Sequence, residues 1–123
     1  MNHVLLYLGA GLPLLWGVAH LVPTRSVVSG FGAISEDNRR IITMEWIIEG
    51  VALIFLGVLV AVVTRIDPQS AIARAVQVSS AAMLLVLAVI SAFTGFRIAF
   101  LPFRICPFLF TTSALLILAG ALL

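Results

Sequence analysis

Asn38–Gly50 reads NRRIITMEWIIEG, and the rest of the chain is understood from it. Arg39 and Arg40 stand at the mouth of an apolar run that holds two carboxylates, Glu45 and Glu49. Four residues apart on a helix, the two acids share one face about one turn apart. The run continues through VALIFLGVLVAVV to Val63, which is long enough to cross a bilayer. A charge at mid-bilayer costs a few kcal/mol on insertion scales, so such groups face a protein interior, a partner or water. The functional question therefore centres on that face.

Composition agrees with a membrane span. Of the 123 residues, 63% are hydrophobic and only 10% charged, with a mean hydropathy of +1.25. A soluble chain this short could not bury so much apolar surface, so lipid must cover the excess. The seven cations are all arginine, against five acids. A net charge of +2, scattered along the chain, points away from nucleic acid. The single cysteine, Cys106, excludes an intrachain disulfide and a cysteine-based metal cluster.

Outward from the central stretch, the sequence predicts an all-α integral membrane four-helix bundle, a single transmembrane domain. Its spans fall at about 4–22, 41–63, 75–96 and 100–122. The first lacks a basic leader, and its apolar run is too long for a signal peptide, so it reads as a retained span. Gly9, Pro13, Trp16 and His20 fall on one face of it, and Gly11 and Gly17 suit close helix approach. Residues 23–40 read as an interfacial loop, with Ser35 capping a helix that starts near Glu36. Gly50, Gly57 and Ala61 are small packing positions in the second span, and Ser79–Ala82 in the third. The fourth begins FLPFRICPFLF, read as an interfacial aromatic belt around Arg104, with a broken helix start as the alternative.

With four spans, the first and third loops share one side and carry Arg25, Arg39, Arg40, Arg97 and Arg104. The other side has Arg65 and Arg74. The positive-inside rule then puts both termini outside.

Three readings of Glu45 and Glu49 stay open. They pair structurally with Arg39, Arg40, Arg97 or Arg104. One carries a proton or cation, together with His20. Or they hold the head of a quinone or lipid, with Trp16, Trp46 and Phe31 lining the site. His20 has a plainer reading too, as an interfacial histidine bonded to backbone or headgroup water. Glu-x-x-x-Glu with one histidine makes no convincing metal site, since the carboxylate-bundle pattern needs Glu-x-x-His. No phosphate loop or nucleophile elbow appears, so no catalytic residue is assigned and no cofactor is predicted, a quinone or lipid apart.

The order GVAHLVPT, VVSGFG, EWIIEGVALIFLG and TRIDP resembles the DoxX-like family of small four-span bacterial membrane proteins. The matching positions are Val28, Gly30 and Phe31, then Glu45 or Glu49, Gly50 and Gly57. This chain departs from the family pattern in having two acids and a histidine where lysine is common. The resemblance implies a four-helix bundle in the bacterial inner membrane, linked to quinone-coupled or stress-related redox systems. The leading expectation is a non-catalytic accessory subunit that packs against other membrane subunits or its own copies. A proton-, cation-, quinone- or lipid-binding bundle is the alternative, and an intramembrane enzyme the second alternative.

Overall fold

The computed structural model describes every residue, Met1–Leu123. It contains α1 (His3–Leu21), α2 (Thr24–Ser29), α3 (Glu36–Ile66), α4 (Ala71–Thr94) and α5 (Leu101–Leu122), with no strands. All but α2 are long and apolar enough to cross a membrane. The chain is an integral membrane protein with an all-α bundle, as its sequence predicts.

The helix starts follow from local chemistry. Asn2 Oδ1 accepts from the amides of Val4 and Leu5, and Ser70 Oγ from that of Ala73. Ser35 caps α3 as expected, its hydroxyl accepting from the Asn38 amide, with Glu36 and Asp37 in the first turn. The region expected as a continuous interfacial loop is more ordered than that. Pro23 is followed at once by the short helix α2, and the chain then turns at Gly32, whose φ of +72° favours glycine.

The α1 helix is the hub, packed between α3 and α5, while α4 packs mainly on α5. In lipid there is no hydrophobic drive between helices, so close backbone approach has to supply the attraction. The glycines supply it. A Cβ on Gly17 would lie 2.6 Å from the Gly50 carbonyl oxygen, and one on Gly57 2.5 Å from that of Ala10. On the other side of α1, a Cβ on Gly9 would meet Ile117, and one on Gly120 would meet Leu6. Gly11, expected as a packing position, faces open space instead, and Gly9 takes that role. The reason is helical phase: Gly9, Pro13 and Gly17 recur at four-residue spacing on the inward face.

Proline shapes the same seam. Pro13 has no N–H, so the Gly9 carbonyl loses its helical donor. Ser113 of α5, fully buried, donates its hydroxyl to that oxygen at 2.6 Å. In the third span only half of the small patch is used, with Ser80 and Ala81 buried and Ser79 and Ala82 exposed. At the fourth, Pro102 sits in the first turn of α5 and Pro107 lies inside a helix that runs on unbroken.

Helix length fixes the depth of the carboxylates. The 31 residues of α3 extend roughly 46 Å at ~1.5 Å each, whereas a hydrocarbon core is about 30 Å thick. Its first turns therefore project beyond the membrane. Trp46 stacks on His20, near the end of α1, so Glu49 lies near the interface and Glu45 one turn further out.

Candidate functional site

The α3 and α4 helices follow one another in the chain yet share few contacts. Near their connecting turn they are tied by a hydrogen bond from Gln77 Nε2 to Thr64 Oγ1, at 3.4 Å. At the opposite, arginine-rich end of the bundle lies a cavity of about 420 Å³. All four spanning helices line it. Trp16, Ala19 and His20 come from α1, Trp46 and Glu49 from α3, Leu87, Ile90, Ser91 and Thr94 from α4, and Phe103, Cys106 and Phe110 from α5.

One wall is set by the end of α1. The last carbonyls of a helix have no partners within it. The Leu21 carbonyl takes the Thr24 hydroxyl at 2.6 Å, and the His20 carbonyl takes the Trp46 indole N–H at 2.7 Å. That bond brings the Trp46 and His20 rings face to face, centroids 3.7 Å apart and planes 15° from parallel. Phe103 then meets Trp46 edge-on at 5.9 Å.

The polar content is small. His20 Nε2 lies 3.5 Å from Glu49 Oε2, close enough for an ion pair but without hydrogen-bond geometry. The His20 side chain is 8% exposed, and its Nε2 has no hydrogen-bond partner in the protein. The Glu49 side chain is half exposed. Cys106 donates its thiol to the Pro102 carbonyl at 3.3 Å. Pro107, like Pro13, withholds an N–H, and the carbonyl left without its helical donor is that of Phe103.

Of the residues singled out from sequence, His20, Glu49, Trp16 and Trp46 meet at this cavity, whereas Glu45 and Phe31 do not line it. The arginines do not pair with the two acids. Arg40 and Arg39 reach Glu36 instead, at 3.2 and 3.9 Å. Their spacing from Glu36, four and three residues, makes them its helical neighbours, while Glu45 lies five and six residues on. Arg97 is exposed, and the Arg104 guanidinium sits 5.6 Å over the Phe96 ring. No set of three histidine, cysteine or acidic side chains is grouped closely enough to hold a metal ion.

The walls contributed by α4 and α5 were missed in the sequence. A signal was present, since Phe103, Cys106 and Phe110 recur at spacings of three and four. The phenylalanines around Arg104 pointed instead to a belt. No family model, curated protein or solved structure matches the chain, so a functional reading has to stand on the geometry of this cavity.

Proposed function

We propose that the chain is a binding protein embedded in the membrane, whose cavity takes the head of an amphiphile of the quinone or lipid kind. The observation that carries this reading is His20 Nε2, a buried polar atom without a hydrogen-bond partner beside a four-helix cavity. Burying a polar atom without a hydrogen bond costs about 1–3 kcal/mol in proteins, which a ligand that supplies the bond would offset. The cavity lies near the interface, so a head can enter it while an apolar tail stays among lipid chains. Its volume falls within the roughly 300–1,000 Å³ of small-molecule sites. On this reading Glu49 and His20 are ligand-binding groups rather than catalytic ones. The positive-inside rule supports a cytoplasmic position for the arginine-rich end, and the DoxX-like resemblance supports a bacterial inner membrane as host.

The test is native mass spectrometry of protein gently extracted from its source membrane, beside the variant Ser91→Phe, which fills the cavity from α4. Wild type carrying a small lipophilic molecule that the variant lacks supports the reading. Equal occupancy of both, or an empty chain held in a larger complex, would overturn it and favour the accessory subunit.

A further inference from the structure

The cavity also specifies the charge of its occupant, an inference that rests on the binding reading above. Its lining contains one carboxylate, Glu49, and no arginine. No arginine lies within ion-pair distance of that carboxylate, and the neighbouring imidazole makes no hydrogen bond to it. An anionic head, whether phosphate, sulfate or carboxylate, would meet like charge at Glu49, with no arginine in the lining to offset it. A neutral head would leave the Glu49 carboxylate with only the His20 imidazole, 3.5 Å away, as a neighbour of opposite polarity, whereas a cation would pair with it directly.

The remaining walls favour positive charge. Trp16, Trp46, Phe103 and Phe110 surround the space, and the negative faces of aromatic rings attract cations, indole most of all. Trp46 already spends a face on His20, whereas Trp16, packed against the core at the cavity wall, pairs with no other ring.

We propose that the ligand is a lipophilic cation, an amphiphile bearing a protonated amine that can donate the missing hydrogen bond to His20 Nε2, held between the Glu49 carboxylate and the indole of Trp16. Its apolar groups occupy the space between α4 and α5, lined by Leu87 and Phe110.

The experiment compares probes of similar shape and different charge. Purified protein in a non-ionic detergent is titrated with tetraphenylphosphonium, triphenylphosphine oxide and tetraphenylborate. Both tryptophans of the chain line the cavity, so intrinsic fluorescence reports occupancy, and calorimetry provides the affinity. The phosphonium is expected to bind at least roughly tenfold tighter than the oxide, and the borate weakest. Glu49→Gln should remove that preference while the oxide binds as before, which shows the variant still folded. Glu45→Gln, outside the lining, should leave all three affinities unchanged. Oxide or borate binding as tightly as phosphonium, or a preference that survives Glu49→Gln, overturns the cationic ligand and leaves the binding reading standing. If none of the three probes binds, the cationic ligand falls, and the binding reading is decided by the mass-spectrometric comparison of wild type with Ser91→Phe.

Discussion

The two flanks of α3 are built on opposite plans. Toward α1 it presents Gly50 and Gly57, where an added methyl would collide with the Leu21 side chain and with the Ala10 carbonyl oxygen, respectively. Toward α4 it presents few contacts, although only four residues, Asp67–Ser70, connect the two helices. Closeness in sequence thus did not decide packing. In a membrane a helix gains little by touching another apolar helix instead of lipid, so adhesion goes where small residues permit it. The side without them is free to hold a cavity. The molecule separates a closely packed flank from one that leaves a cavity.

The most severe way to break that separation is Gly57→Leu. The added side chain has the Ala10 carbonyl and Leu14 in its way. We expect a loss of about 3 kcal/mol or more, read as a large drop in thermal midpoint in detergent, since overpacking with no escape costs at least ~1–3 kcal/mol. Trp46→Phe comes next. It keeps an aromatic ring but leaves the His20 carbonyl without its 2.7 Å donor. A loss of about 1–2 kcal/mol is expected by thermal denaturation, together with weaker ligand binding. An unchanged midpoint would mean that water replaces the indole.

Ser113→Ala probes the other side of α1. Interhelical hydrogen bonds in membranes average ~0.6 kcal/mol, and a loss near that figure is expected here. The sharper form is the double variant with Pro13→Ala. An alanine at 13 restores an N–H to the Gly9 carbonyl, so removing the Ser113 hydroxyl should then cost nearly nothing. Equal cost in both backgrounds would disprove the link. The smallest effect belongs to Gly11→Leu, which meets open space and should change stability by about 0.5 kcal/mol or less. A drop as large as that of Gly57→Leu would show that α1 has a further partner in the membrane.

The bundle was legible because hydropathy needs only the order of residues, and spans of about twenty apolar residues stand out in this chain. Half of the cavity was legible for a related reason. His20, Trp16, Trp46 and Glu49 are polar or amphipathic side chains in apolar surroundings, and such residues call for an explanation. The other half was not, because Leu87, Ile90 and Phe110 look like any lipid-facing residue until the partner of each helix is known. Glu45 and Glu49 share a face in sequence, but only Glu49 lines the cavity, and which of two acids one turn apart enters it is set by the neighbouring helices. The face actually used by α1 turned on phase, and phase alone separates Gly9 from Gly11.

The link between Pro13 and Ser113 also constrains how this sequence can change over generations. Ser113 serves a carbonyl that is free only because residue 13 is proline. A lineage that lost the serine first would pass through a weakened intermediate, whereas one that lost the proline first would release the serine to drift. Among descendants of this chain, proline without a hydroxyl at 113 should therefore be rarer than a hydroxyl without the proline. The order of two substitutions 100 positions apart is written into one 2.6 Å contact.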